Sequence, residues 1–271
     1  MGASDPWRHS DGTAIPEEDR GLRHDLPLLL GRRHLLGLAA GFGALSLLTA
    51  CAREEPTPSG LVEVPDETAG PFPGDGSNGI DVLDDTGIVR RDIRSSFGAS
   101  TTLAAGIPLT VRLTVRDLDS SGPLTDPPAA VYLWHCDREG RYSLYTNGLQ
   151  NENYLRGVQP VDPSGTATFT TIFPGCYRGR WPHLHFEVYR SIEDATRSGP
   201  IVKTSQLALP PEACETAYRA TGYELSLGNL AGTSLERDGV FRDDGAIHQL
   251  ATTSGDPAAG YVASLTIGTR G

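Results

Sequence analysis

The sequence predicts an all-β fold, a β-sandwich of mixed topology carrying one or two short helices. Three observations predict it. From Val62 onward the chain runs in short β-branched stretches broken by Gly, Pro, Asp and Asn. Several of these stretches alternate apolar and polar residues with the period of two that belongs to a half-buried strand. Helical stripes of period 3.6 are scarce, and several short strands at this spacing fit two packed sheets.

The first clear strand is 109–116 (LTVRLTVR), with strict alternation. The second is 130–135 (AVYLWH), and the third, 167–172 (ATFTTI), follows turn chemistry at Asp162-Pro163-Ser164-Gly165. The fourth is 184–190 (LHFEVYR) and the last 261–267 (YVASLTI). A short helix is expected over 211–221, with Glu212 and Glu215 placed in its first turn and Gly222 to close it. No internal repeat is present.

The chain has 271 residues, but its beginning reads as a targeting segment. Arg32 and Arg33 precede an apolar stretch, 35–50, that is too short and too rich in glycine (Gly37, Gly41, Gly43) to span a bilayer comfortably. It ends in Leu48-Thr49-Ala50-Cys51, which resembles a bacterial lipobox with Cys51 as the acylated residue, and the paired arginines resemble a twin-arginine export signal, although Gly31 stands where Ser or Thr is commoner. The expected organisation is therefore a signal peptide over 1–50, a Glu- and Pro-containing tether over 51–60 and one catalytic domain over 61–271, an exported protein whose only membrane contact is a lipid anchor at Cys51. The segment removed carries five Arg against six Asp or Glu, so a net charge of −11 becomes −10. That balance excludes nucleic acid and a polybasic membrane patch as partners. With Cys51 lipidated, Cys136, Cys176 and Cys214 remain in an oxidising compartment, enough for one disulfide. Sequence does not choose the pair, and Cys176 with Cys214 is the one that would stiffen the neighbourhood of Tyr177.

His183-Leu184-His185 lies in a strand-like run, so both imidazoles project from one face while Leu184 points into the core. Two imidazoles about 7 Å apart along a strand can chelate one metal. An HxH pair alone is a weak signal, but tyrosines surround it. Tyr177 ends Pro174-Gly175-Cys176-Tyr177 just before this strand, and Tyr142 follows Gly140-Arg141, with Tyr145 and Tyr154 as competitors for the same role. Tyr145 is expected on the opposite side of an extended segment. Phenolates are hard anionic donors, and two of them with two imidazoles suit a trivalent ion such as iron(III) better than zinc. His135 reads as an ordinary buried histidine, Trp134 and Trp181 as core or pocket wall, and Arg156 as structural.

The run AVYLWHCDREGRY, then LRG, then GTATFTTIFPGCY, then RWPHLHF, all within 130–190, resembles the intradiol ring-cleavage dioxygenases, the group that contains protocatechuate 3,4-dioxygenase and catechol 1,2-dioxygenase. A weaker echo lies at Glu67-Thr68-Ala69-Gly70-Pro71-Phe72, so the resemblance covers about 65–210. It implies a non-haem Fe(III) site with Tyr142, Tyr177, His183 and His185 as ligands. It also implies that Tyr177 and His185 are axial, that Tyr177 leaves the metal when a catecholate binds, and that Arg180 and Gln206 lie beside the substrate. The reaction implied is cleavage of a catechol-type ring by O2 between its hydroxylated carbons, giving a muconate-type diacid. The chain departs from the family pattern at Phe72, where the family has Tyr, and it lacks a long N-terminal helical dimerisation segment. A different class of protein, a secreted iron- or catechol-binding protein with little turnover, shares the same ligands, and the presence of Arg180 and Gln206 favours catalysis.

Overall fold

The computed structural model describes residues 61–270, so the signal peptide, the Cys51 lipobox and the 51–60 tether lie outside the described residues. In chain order the strands are β1 (Pro108–Asp117), β2 (Ala130–Trp134), β3 (Arg156–Pro160), β4 (Thr166–Ile172), β5 (His183–Tyr189), β6 (Ile201–Ala208), β7 (Thr252–Asp256) and β8 (Gly260–Thr269). Three short helices join them: α1 (Ile192–Thr196), α2 (Pro211–Ala217) and α3 (Glu224–Leu230). The strands form two four-stranded sheets, ordered β4-β1-β8-β7 and β3-β2-β5-β6. β1 runs parallel to β8, and every other pairing is antiparallel, which makes the topology mixed as expected.

Among the described residues three short helices stand where one or two were expected, because α1 and α3 are five and seven residues long, too short to display a period of 3.6 in sequence. α2 falls inside the expected helix but ends four residues early, with only Glu212 in its first turn. Three strands carry no sequence signal. β3 (RGVQP) is a sheet edge that ends in proline. β6 (IVKTSQLA) buries polar residues, and β7 is mostly exposed.

Between the sheets lies the larger core. Leu109, Val111, Leu113 and Val115 of β1 face Val131 and Leu133 of β2, Leu184, Phe186 and Val188 of β5 and Leu207 of β6, all in one buried cluster. Each such side chain contributes roughly 1.5–3 kcal/mol on full burial. β2 and β5 are buried along their whole lengths, on both faces. Their second face, carrying Tyr132, Trp134 and Tyr189, belongs to a separate cluster completed by Phe72, Val82, Leu83, Ile88, Tyr142 and Tyr177. The N-terminal segment is strapped over that face by hydrogen bonds at 2.7–2.9 Å: Tyr132 Oη and Arg156 Nη1 donate to the Pro73 carbonyl, Gln206 Nε2 donates to the Thr68 carbonyl, and the Glu67 amide donates to the Thr204 carbonyl.

Among the described residues no disulfide forms, neither the Cys176–Cys214 pair that would have stiffened the neighbourhood of Tyr177 nor any other. Cys136, Cys176 and Cys214 are buried free thiols, packed as small apolar groups with their sulfurs directed at backbone carbonyls: Cys136 at Gly175 (3.5 Å), Cys176 at Arg180 (3.5 Å) and Cys214 at Leu209 (3.8 Å). Burial pushes the Cys176 thiol up to about 12 and the other two upward as well, so little thiolate is present to oxidise.

His135 ties the two sheets together. Its Nδ1 donates to the Cys136 carbonyl at 2.7 Å, which leaves Nε2 to accept from Thr171 Oγ1 of β4 at 2.7 Å. Burial holds the ring neutral, its pKa pushed down to about 4 from an unfolded value of 6.5. Between those pH values the unfolded chain binds a proton that the folded chain refuses, so stability falls as the pH is lowered through the window. Replacing His135 by Gln should flatten this acid limb by about 1.4 kcal/mol per pH unit. Urea unfolding from pH 7 to 4.5 checks it, and equal slopes for the two proteins would contradict the assignment.

Candidate metal centre

The alternation of β5 sends Leu184, Phe186 and Val188 into the sandwich and turns His183 and His185 into the outer layer. Each imidazole is held from behind. His183 Nδ1 lies 2.5 Å from the Trp181 carbonyl, to which it can only donate, so its Nε2 presents a bare lone pair. The His185 ring stacks on Trp134, its register partner on β2, with centroids 5.0 Å apart and planes 8° from parallel. The two Nε2 atoms then stand 3.1 Å apart.

Two loops bring phenols to the same point. Tyr177 Oη lies 3.2 Å from His183 Nε2, and Tyr142 Oη lies 3.1 Å from His185 Nε2. The loops fit because each contains a glycine at their contact. Gly140 has φ +87° and leaves only 3.0 Å between the place of a Cβ and that of Tyr177. A Cβ on Gly175 would lie 2.7 Å from the carbonyl oxygens of Asp137 and Arg138. Asp137 tightens the loop ahead of Tyr142 by accepting from the Glu139 and Arg141 amides at 2.9 and 3.0 Å and from Arg141 Nε at 3.0 Å.

Tyr145 and Tyr154 do not join the cluster. The segment after Tyr142 is a series of turns, not the extended chain expected, with the Thr146 amide bonded back to the Tyr142 carbonyl at 3.0 Å. Tyr145 is drawn away because its hydroxyl donates to Asn78 and accepts from the Gly74 amide, both at 2.9 Å. Tyr154 packs in a separate cluster with Ala104, Leu155 and Ile172. Arg156 is a buried strut, bonded to Pro73, Tyr132 and Ser143.

The donor set fits a hard cation. Burial, reinforced by Arg180 at His183 and by the neighbouring His183 at His185, pushes both imidazoles well below their usual range and keeps them neutral, the form that ligates. Burial and the nearby Tyr177 push the Tyr142 phenol upward, so it ionises only against a strong positive charge. Among the described residues no group of three or more His, Cys, Asp or Glu side chains could hold a metal, so the phenols are indispensable to this set. His185 Nδ1 and Trp134 Nε1 are buried without hydrogen-bond partners, a cost the stacked geometry imposes.

Beside the cluster, Gln206 stands opposite His185 in the β5–β6 register and accepts from Arg180 Nη2 at 2.5 Å. The residue that sequence reasoning missed is Asp238. Its Oδ2 accepts from Arg180 Nε at 3.0 Å and from the Trp181 amide at 2.6 Å, while Oδ1 accepts from the Val240 and Phe241 amides at 2.8 and 3.2 Å. Arg180 and Asp238 are 1% and 0% exposed, a buried ion pair. Nothing in Arg237-Asp238-Gly239 distinguishes it from an ordinary turn in sequence. Phe241, which follows, packs its ring 6.3 Å from that of His183, and Phe72 packs 4.9 Å from Tyr142.

No protein-family model and no curated protein matches the sequence. Solved structures do match it by fold. An intradiol ring-cleavage dioxygenase from Tetranychus urticae is 23% identical, with 69% of this chain and 88% of that one covered and a TM-score of 0.56. A second dioxygenase structure is 22% identical over the same shares of each chain, with a TM-score of 0.57. The chain therefore has the fold of the intradiol ring-cleavage dioxygenases.

Truncating Asp238 to Ala strands a buried guanidinium, and the protein should lose about 3–5 kcal/mol of stability. Denaturant unfolding of the metal-free protein measures this. A loss below about 1 kcal/mol, the range of an exposed pair, would contradict the buried pairing.

Proposed function

We propose that this protein is a non-haem iron(III) dioxygenase that opens catechol-type rings with O2 between the two hydroxylated carbons and releases muconate-type diacids. The observation that carries the proposal is the buried convergence of Tyr142 Oη, His185 Nε2, His183 Nε2 and Tyr177 Oη, each 3.1–3.2 Å from the next, with Arg180 alongside. These four atoms would hold the iron, which when bound supplies a Lewis acid and a template for a bidentate diol. The fold shared with dioxygenases of known structure supports the same reading.

The chain's own groups account for the rest of the chemistry. A catechol must lose two protons to chelate, and the Tyr177 phenolate oxygen can accept one, since a phenol's ordinary pKa of about 10 is close to that of the diol. Arg180 cannot be deprotonated in a protein, and Gln206 and Asp238 fix its plane. It is positioned to stabilise negative charge developing on the substrate, as a preorganised, buried cation. Phe72 offers an apolar wall where a hydroxyl would have offered a hydrogen bond, so substrate orientation falls to Arg180 and the four ligands. We place this reaction outside the cytoplasm, on a protein exported and anchored through Cys51.

An oxygen electrode with a panel of catechols tests the function. Iron-loaded protein should consume one O2 per ring opened, and Arg180→Ala should lower kcat/KM by roughly 10²–10³-fold. A binding protein would change colour with the catechol and consume no oxygen, and that result would overturn the proposal. Removal of residues 1–50 with acylation of the new N-terminal Cys51, read by mass spectrometry of the mature N-terminus, tests the location independently, and an unmodified or uncleaved N-terminus would overturn it.

A further inference from the structure

The loop that delivers Tyr177 lies outside both sheets, so its backbone groups have no ladder to pair with. Side chains from the helical region after β6 supply the partners. Tyr223 Oη donates to the Phe173 carbonyl at 2.7 Å, and Tyr218 Oη donates to the Pro174 carbonyl at 3.0 Å. Ser226 Oγ accepts from the Cys176 amide and Asn229 Nδ2 donates to the Cys176 carbonyl, both at 2.9 Å. Ser226 Oγ also donates to the Arg138 carbonyl at 2.8 Å, in the loop that leads to Tyr142.

Ser226 and Asn229, three residues apart, lie on one face of α3, and Tyr223 is the N-cap residue just before it. That face points inward. Leu225 and Leu227 of the same helix are 65% and 43% exposed. A surface helix ordinarily buries its apolar stripe and exposes its polar one. Here Ser226 and Asn229 turn inward, and their hydrogen bonds go to the backbone of the Cys176 loop and, through Ser226, to that of the Arg138 loop. Tyr223 and Leu230 pack the two ends of α3 against the core, and the hydrogen bonds of Ser226 and Asn229 to Cys176 set which face its middle turns inward.

We propose that α3 is a positioning device for the candidate ligands: Ser226 and Asn229 grip the peptide groups on both sides of Cys176 and thereby fix the Tyr177 phenol against His183, while Ser226 ties the same helix to the Tyr142 loop. This rests on the reading of Tyr142 and Tyr177 as metal ligands. With both Cys176 peptide groups held, the backbone immediately before Tyr177 has little freedom to rotate. A ligand set tolerates only about 0.5 Å of misplacement, so loosening this grip should be felt at the phenol oxygen. Ser226 and Asn229 touch neither metal nor substrate and act through the loop alone.

Two measurements on full-length protein test the proposal, with Ser226→Ala and the milder Asn229→Ala compared with wild type. Leu225→Ala, on the outward face of α3, and Ile267→Val, in the β8 core, serve as controls. In metal-free protein, amide exchange of Gly175, Cys176 and Tyr177 should speed up roughly tenfold in the two test variants and stay unchanged in the controls. In iron-loaded protein, the phenolate-to-iron absorption band should shift and weaken in the same two variants only. Unchanged exchange in both test variants would overturn the grip itself. Faster exchange with an unaltered band would overturn its role in positioning Tyr177, as would an equal band shift in Ile267→Val. A wild-type protein that develops no band contradicts the metal reading, a failure separable from the first because exchange is measured without metal.

Discussion

β5 lies between β2 and β6 with protein packed against both of its faces, and a strand so placed must satisfy two environments with alternate residues. Leu184, Phe186 and Val188 meet the apolar interior of the sandwich. His183, His185, Glu187 and Tyr189 meet a second layer. Once the inner set is committed to the core, a one-residue slip would place imidazoles in the sandwich and leucine in the site, so the register of the histidines is fixed by the same hydrophobic burial that folds the domain. Site and core are thus two faces of one strand.

What the second layer must then supply is pairing for groups that burial has desolvated. Tyr132, Arg156 and Gln206 bind the carbonyls of the N-terminal strap, Asp238 compensates Arg180, and α3 compensates the loop of Tyr177. Glu187 shows how tight this economy is. Desolvation and the nearby Asp75 push its carboxyl up to about 8, and its Oε1 lacks a hydrogen-bond partner. The layer is held by specific polar contacts from distant parts of the chain, and the sheet beneath it by packing.

These two kinds of stabilisation explain what sequence disclosed. β1 and β5 were legible because alternation against a core leaves a period of two, which also puts His183 and His185 on one face, while the choice of Tyr142 and Tyr177 as the other candidate ligands came from the resemblance to the intradiol dioxygenases. β6 was not legible, since Lys203, Ser205 and Gln206 are buried polar residues that read as loop. Asp238 and α3 were invisible for the same reason: their value lies in hydrogen bonds made far along the chain, and a helix with its polar face inward carries no recognisable stripe. Tyr145 lies away from the cluster as expected, but through turns and its bonds to Asn78 and Gly74, not through the parity of an extended chain. The cysteine pairing that sequence left open is absent because three buried sulfurs each found a carbonyl in place of another sulfur.

Resonance Raman spectroscopy of the iron-loaded protein, excited in its visible band, tests the central claim most directly, because enhanced tyrosinate modes arise only from phenolates bound to the metal. Two tyrosinate contributions are predicted, with Tyr142→Phe and Tyr177→Phe each leaving the other. A protein that binds one equivalent of zinc, stays colourless with ferric iron and shows no tyrosinate modes would contradict the account.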